Sequence, residues 1–267
     1  MAEEQGGMPA GAPRGVRAGA PTGASTGAPA GAQAGAQAGG APTGGPVVHE
    51  VPYHAQWESA ELVRVIIDGQ VDAAEDPRWG QSGAATPEEY AWWSWRLCGV
   101  ACLRMALDHW WGLAPPALTL AGECVAAGAY VRDGESLRGL IHTPFADYVR
   151  RRWGLAAQAR ELAPAELAAE VAGGRLVMVS VHPAIREPAG PAPVRRGGHL
   201  VLVVGATDTA VVIHNPSGFP GESQSFAHVP WRSFERFYAG RGIVLGPPGA
   251  GGAGGARSVP DQQPVGS

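Results

Sequence analysis

Lysine is absent from this 267-residue chain, and all 20 of its basic residues are arginine. Schiff-base lysine enzymes, lysine-dependent P-loop nucleotide hydrolases and ordinary protein kinases each need a lysine amine at a fixed place, so the sequence excludes these classes. Basic charge is not in excess either, because the formal net charge is −4. We therefore expect no nucleic acid as a partner and no attraction to an anionic membrane.

Long apolar runs are also missing. The two longest, 176–181 and 200–206, have the length of strands and are far too short to span a bilayer. The pattern of a secretory signal, a basic start followed by an apolar stretch, does not occur. The three cysteines form no even disulfide framework. These features lead us to expect a cytoplasmic protein without a membrane span.

Composition divides the chain into three parts. Residues 1–46 and 247–267 are built mainly from Gly, Ala, Pro and small polar residues. Such segments cannot bury enough apolar surface to offset the entropy lost on ordering, so we predict a disordered head and a disordered tail. Residues 47–246 contain every aromatic side chain and are long enough to form one well-buried core.

The hydrophobic periodicity changes along this central part. Helical spacing and capping residues predict helices that start at Thr86 and that cover 98–111, 118–127, 145–153, 164–172 and 231–238. Short runs rich in Val and Leu predict strands over 47–53, 61–67, 175–181, 199–205, 210–214 and 242–245. Helices first and mostly antiparallel strands later define an α+β fold.

Cys98 is the cysteine with the strongest chemical context. It is followed by glycine and opens the predicted helix 98–111. The unpaired N–H groups and the dipole at a helix N-terminus favour the thiolate, which is the nucleophile of cysteine enzymes. A buried structural cysteine is the alternative interpretation. Cys102 and Cys124 fit that alternative better, because neither lies at a helix start.

His199 and Asn215 stand at the ends of two neighbouring strand patterns. Taken singly, the first is an ordinary histidine at a strand start and the second, the only asparagine in the chain, is a turn residue before proline. A hairpin centred on Asp208 would put both side chains on one face, whereas a two-residue loop would put them on opposite faces. In the first case Cys98, His199 and Asn215 match the nucleophile, base and orienting group of a Cys-His-Asn triad.

Four segments, in this order along the chain, match motifs of a known family. They are Val51-Pro52-Tyr53-His54-Ala55-Gln56-Trp57, Leu97-Cys98-Gly99-Val100-Ala101-Cys102-Leu103, Gly197-Gly198-His199-Leu200-Val201-Leu202-Val203-Val204-Gly205 and His214-Asn215-Pro216. Together they resemble papain-like cysteine peptidases related to the bacteriocin-processing, or double-glycine leader, peptidases. The resemblance implies a papain-like α+β fold, in which a helical half carrying the cysteine packs on a mostly antiparallel sheet carrying the histidine and the asparagine.

The resemblance also implies roles for individual residues. It implies a cysteine peptidase that acts on a peptide or protein through an acyl-enzyme, with Cys98 as nucleophile, His199 as base and Asn215 as the orienting group. Gln56 is the implied oxyanion residue. The close transporter-linked relatives have their glutamine about six residues before the cysteine, where this chain has Trp92, so Gln56 is the first candidate and Gln81 the second.

Two other functions fit the same residues. The scaffold could transfer an acyl group to an amine instead of water, or it could bind peptides without catalysis. No cofactor is implied. No metal site is expected either, because the eight histidines accompany neither paired cysteines nor a His-Glu-x-x-His motif.

Overall fold

The computed structural model describes residues 45–134 and 136–249, so the head predicted for 1–46 and the tail predicted for 247–267 lie almost entirely outside the described residues. Within the described ranges, seven strands form one antiparallel sheet and two short strands form a separate hairpin. The same ranges contain no helix with the length and apolarity needed to cross a membrane.

The first half of the described chain is mainly helical, and most strands of the large sheet come later. The α-helices are α1 (Val63–Ile67), α2 (Pro87–Ser94), α3 (Cys98–Trp111), α4 (Ala117–Ala126), α5 (His142–Trp153), α6 (Pro164–Ala172) and α7 (Trp231–Phe237). The strands are β1 (Val47–Val48), β2 (Val131–Asp133), β3 (Ser136–Arg138), β4 (Leu155–Glu161), β5 (Leu176–Val181), β6 (His199–Ala206), β7 (Ala210–His214), β8 (Ala227–Pro230) and β9 (Tyr238–Pro248). Short 3₁₀ helices lie at Ala60–Leu62, Ala73–Glu75, Trp79–Ser82 and Pro183–Arg186.

The large sheet has the strand order β4-β9-β5-β6-β7-β8, with β1 added beside β6. Its central strands β5, β6 and β7 are buried along their whole length. Strands that are covered on both faces carry nearly continuous apolar runs instead of alternating patterns. This is why the Val- and Leu-rich runs of the sequence predict these three strands well.

Two apolar clusters, one on each face of the sheet, hold the helices in place. On one face α3, α4 and α5 pack against residues such as Leu200 and Leu202 of β6. On the other face α6 and α7 pack against Val201 and Val203 of the same strand. Each fully buried side chain of this kind contributes about 1.5–3 kcal/mol relative to an exposed one. The start of α3 is therefore fixed firmly against β6.

The α+β fold is confirmed, with the helix that begins at Cys98 packed on a mostly antiparallel sheet. The strand predicted over 61–67 is wrong, because this segment forms a 3₁₀ turn and α1, which buries Val63 and Ile66 at helical spacing. The strand predicted over 47–53 is limited to β1. No strand pattern marks β4, which is rich in alanine, a residue with low strand propensity.

Candidate active site

Cys98 is the first residue of α3, and the helix ends before Gly112, whose φ of 62° suits glycine. Gly99 lets the start of the helix lie close to β6, because a Cβ at this position would come within 2.8 Å of Leu140 Cδ1 and 3.1 Å of Leu200 Cδ1. The main-chain N–H of Leu200, in β6, favours the ionised form of the Cys98 thiol. The thiol is thus placed beside the beginning of β6.

His199 and Asn215 come together at the ends of β6 and β7. The two strands pair Leu202 with His214, and continuing this register puts His199 and Asn215 on one face. The Nε2 atom of His199 lies 2.8 Å from Oδ1 of Asn215. The residues are 5% and 0% exposed, respectively. The structure therefore brings the two side chains together in the register that a hairpin centred on Asp208 predicts.

The register of this hairpin results from a short loop combined with a β-bulge. The N–H of Thr207 donates to Ala210 O at 2.8 Å, which closes a loop of only two residues. Such a loop by itself would place His199 and Asn215 on opposite faces. A β-bulge at Val204 shifts the pairing by one residue and restores the shared face. No feature of the sequence indicates this bulge.

The hydrogen bonds of Asn215 define the tautomer of His199. Oδ1 of Asn215 also accepts the main-chain N–H of Ser217 at 3.1 Å, which identifies it as the amide oxygen. The nitrogen of His199 that faces this oxygen, Nε2, is therefore assigned the ring proton. Ser217 Oγ lies 3.0 Å from the same Nε2. Within the described residues Nδ1 makes no hydrogen bond, so its lone pair is available to accept a proton.

The segment that carries the first sequence motif fastens the end of β7. The hydroxyl of Tyr53 donates to the main-chain oxygen of Asn215 at 2.9 Å, and its ring packs edge-on against His214 at 5.5 Å. The N–H of Gln56 donates to Pro216 O at 2.9 Å. Both contacts hold the main chain at Asn215 and Pro216.

Gln56 also reaches toward the cysteine helix. Its side chain is buried, and Nε2 donates to the carbonyl of Ser94 at 3.0 Å, at the end of the helix that precedes Cys98. Its Oε1 is buried and has no hydrogen-bond partner among the described residues. Gln56 therefore links the approach to Cys98 with the loop that follows Asn215. Gln81, the second oxyanion candidate, is exposed on a 3₁₀ helix.

Burial governs ionisation in the site. It raises the pKa of the Cys98 thiol, although main-chain N–H groups and the charge of Arg186 lower it in part. It also lowers the pKa of His199 to about 4; the hydrogen bond to Asn215 opposes this shift and the charge of Arg186 adds to it. Burial therefore favours the neutral form of both the thiol and the imidazole. The expected lowering of the thiol pKa by the helix N-terminus is wrong here, because desolvation of the sulfur outweighs it.

Arg186 belongs to this site and has no counterpart among the predicted residues. It ends the 3₁₀ helix after β5, a strand whose Val181 pairs with His199. Its Nε donates to the main-chain oxygen of Ser217 at 2.9 Å and to Ser217 Oγ at 3.0 Å. A single arginine after an apolar strand carries no signal in the sequence. The pairing of β5 with β6 is what brings it to the histidine.

The two other cysteines are buried. Cys102 is buried, its Sγ lies 3.8 Å from Leu200 O, and burial raises its pKa well above the usual range. Cys124 is also buried, and burial raises its pKa to about 12. Cys98 is the one cysteine of the three that is partly accessible. Across residues 45–134 and 136–249, no group of three or more His, Cys, Asp or Glu side chains is arranged to hold a metal ion.

No protein-family model matches the chain, and no curated protein matches its sequence. Solved structures with a similar fold include a protein described as a C39-like peptidase from Bacillus anthracis, with 20% identity, a TM-score of 0.42, and coverage of 56% of this chain and 88% of that one. Another is a double glycine motif protease from an AMS/PCAT transporter in complex with the leader peptide, with 15% identity, a TM-score of 0.39, and coverage of 76% and 97%.

A third is the peptidase domain of Streptococcus ComA, a bifunctional ABC transporter involved in a quorum-sensing pathway, with 16% identity, a TM-score of 0.38, and coverage of 57% and 92%. Likenesses of this size do not decide the function, which depends on the side chains of the site. The chain is similar in fold to peptidases of the C39-like and double-glycine type, the family that its sequence motifs resemble.

Proposed function

We propose that the chain is a cysteine peptidase, an amide hydrolase that acts on a peptide or protein through a Cys98-His199-Asn215 triad. One observation carries the proposal: the buried 2.8 Å contact between His199 Nε2 and Asn215 Oδ1, beside the helix that begins with Cys98. The contact fixes the ring tautomer and leaves the second nitrogen free for proton transfer. The order of the surrounding motifs supports the same function.

Catalysis begins when the sulfur of Cys98 attacks the carbonyl carbon of the scissile amide. A carbon–sulfur bond forms, the carbonyl electrons move to oxygen, and the thiol proton passes to Nδ1 of His199. Because burial raises the pKa of the thiol, the proton leaves during the attack and not before it. In the described residues the thiol and the ring are not hydrogen-bonded, which is common before a substrate tightens the site.

The oxyanion needs donors at the start of α3. The first N–H groups of a helix have no acceptor within the helix, so the N–H of Cys98 is free to donate. Gln56 is the proposed second donor. Its Nε2 carries two hydrogens, of which one is given to Ser94 O at 3.0 Å. The remaining hydrogen is the one that we assign to the developing oxyanion.

The intermediate then collapses. The imidazolium of His199 gives its proton to the leaving nitrogen, the carbon–nitrogen bond breaks, and a thioester remains on Cys98. A water molecule that loses its proton to His199 hydrolyses the thioester and restores the thiol. If an amine takes the place of water, the same thioester yields acyl transfer. Product analysis with and without added amines distinguishes the two outcomes.

A covalent trap tests the triad. In a peptide vinyl sulfone, the catalytic thiol adds to the carbon–carbon double bond and forms a stable thioether. The modified cysteine is then identified by mass spectrometry. We expect the adduct on Cys98, with Cys102 and Cys124 unmodified. His199→Ala should slow the labelling about 10²-fold, because the proton acceptor is lost. His228→Ala, which removes an exposed histidine of β8, is the matched control and should label at the wild-type rate.

Equal labelling of the three cysteines, or labelling of Cys98 that does not depend on His199, would contradict the triad. Trapping without any turnover of ordinary peptides would identify a peptide-binding module.

A further inference from the structure

The site contains a positive charge that has no counter-ion among the described residues. Arg186 is partly buried, and burial lowers the pKa of its guanidinium. No carboxylate in the described residues forms an ion pair with it. Arg104, the buried arginine of the same chain, is paired with Glu58 at 2.9 Å. Burying a charge without a partner is costly, so a partly buried guanidinium that lacks an ion-pair partner among the described residues points to a partner that arrives with the ligand.

Among the residues that the structure describes, one nitrogen of this guanidinium makes hydrogen bonds. Its Nε is fixed by the main-chain oxygen and the Oγ of Ser217 at 2.9 and 3.0 Å. The terminal nitrogens Nη1 and Nη2 make no hydrogen bond within the described residues, and neither is sealed from solvent. Ser217 Oγ in turn lies 3.0 Å from Nε2 of His199. The guanidinium of Arg186 is therefore connected to the catalytic imidazole through two hydrogen bonds, both made by Ser217 Oγ.

We propose that Arg186 binds a carboxylate of the substrate, so that the site selects peptides with an acidic group next to the scissile amide. The proposal rests on the peptidase function. The carboxylate comes either from an Asp or Glu side chain or from the free C-terminus of the peptide. A guanidinium whose Nε is already anchored presents its two remaining nitrogens in the planar geometry that matches a carboxylate.

The charge of Arg186 also connects recognition with catalysis. In the free site it disfavours a second positive charge on the ring of His199 and favours ionisation of Cys98. A bound carboxylate neutralises the guanidinium and removes the penalty on the imidazolium that forms during the attack. The same contact therefore orients the substrate and changes the electrostatics of both the thiol and the ring. A residue that merely fastened Ser217 would have neither effect.

The first test does not depend on peptide cleavage. Iodoacetate and iodoacetamide both alkylate a thiolate by forming a carbon–sulfur bond and releasing iodide, and they differ mainly in the negative charge of iodoacetate. The ratio of their rates at Cys98 cancels any change in the thiol pKa. We expect the ratio in the native chain to exceed that of the urea-unfolded chain, and Arg186→Gln to lower it about tenfold.

Arg195→Gln is the matched control for this ratio. It removes the same charge from an exposed arginine four positions before His199. We expect its ratio to equal that of the native chain. A native ratio no higher than the unfolded one, or an equal loss in the two variants, would overturn the carboxylate site. The comparison between native and unfolded chain needs no variant. The proposal can therefore be refuted even if Arg186→Gln fails to fold.

The second test identifies the source of the carboxylate. Peptide pairs that differ only as Glu or Gln beside the cleaved bond, or as a free or an amidated C-terminus, are compared by kcat/KM. We expect one pair to show a preference of about 10- to 100-fold for the acid, the range of a hydrogen bond to a charged group. Arg186→Gln should bring the ratio of that pair close to one, and Arg195→Gln should keep it.

The two proposals fail in different ways. If every peptide is cleaved without regard to its charge, the peptidase function stands and the carboxylate site is wrong. If no peptide is cleaved but the alkylation ratio depends on Arg186, the anion site stands and the peptidase function is wrong.

Discussion

Replacing Asn215 by aspartate tests how the orienting group controls the imidazole. The side chain is fully buried, and its Oδ1 lies 2.8 Å from Nε2 of His199. A carboxylate at this position puts a negative charge against the ring and favours the imidazolium. Burial holds the pKa of His199 at about 4 in the native chain. An opposite charge in contact raises a pKa by about 1 to 3, so we expect a value between about 5 and 7 in Asn215→Asp.

Two assays follow this pKa. The ring C–H signals can be titrated by NMR in a Cys98→Ala background, which prevents turnover, and His199→Gln identifies the signal. In the active chain, the acid limb of the kcat/KM profile should move upward by the same amount. Asn215→Ala should behave differently, because it leaves the Ser217 N–H without its acceptor and leaves Ser217 Oγ, 3.0 Å from Nε2, as the remaining partner of the His199 ring N–H. A buried donor without an acceptor costs about 1–3 kcal/mol of stability, and kcat should fall by at least about 10²-fold because the ring loses its orienting group.

The two substitutions therefore rank as Asp above Ala in activity. A pKa of His199 that stays near 4 in Asn215→Asp would refute the electrostatic reasoning. A more active alanine variant would refute the orienting role of Asn215.

Three further predictions follow from the same contacts. The pKa of His199 is about 4 in the fold and 6.5 in the unfolded chain, so protonation favours unfolding as the pH falls through this window. Through this group, the free energy of unfolding should drop by about 3 kcal/mol between about pH 7 and pH 4. In denaturant titrations, the drop measured for His199→Gln should be smaller than that of the native chain by this amount. Gln56→Ala should lower kcat about 10²-fold with little change in KM, whereas Gln81→Ala should be neutral; the reverse result would give the oxyanion role to Gln81. Gly99→Ala should lower both kcat and Tm, because its Cβ would come within 3.1 Å of Leu200 Cδ1. Unchanged values would show that the Leu200 side chain moves aside at little cost.

Local chemistry explains which parts of the fold could be predicted. The start of α3 at Cys98 and its end at Gly112 follow from helical spacing and a glycine terminator. The strands β5, β6 and β7 are visible because their burial on both faces demands apolar runs. The segment 61–67 is misleading, since its β-branched residues favour a strand while their burial pattern is helical.

The site shows where sequence reasoning stops. The shared face of His199 and Asn215 depends on a bulge at Val204 that compensates a two-residue loop, and neither feature has a residue signature. Arg186 is brought in by the pairing of two strands that are distant in sequence. The direction of the Cys98 pKa is set by desolvation, which depends on tertiary packing and cannot be derived from a position at a helix start.

Cleavage of a mixed peptide library by the purified full chain, with Cys98→Ala and Cys102→Ala measured beside it, tests the central claim most directly. We predict that the native chain and Cys102→Ala cleave the same peptides and that Cys98→Ala cleaves none, because among the three cysteines only Cys98 is partly accessible and begins the helix that packs against the start of β6. Wild-type cleavage by Cys98→Ala, or loss of cleavage in Cys102→Ala alone, would contradict the assignment of Cys98 as the nucleophile.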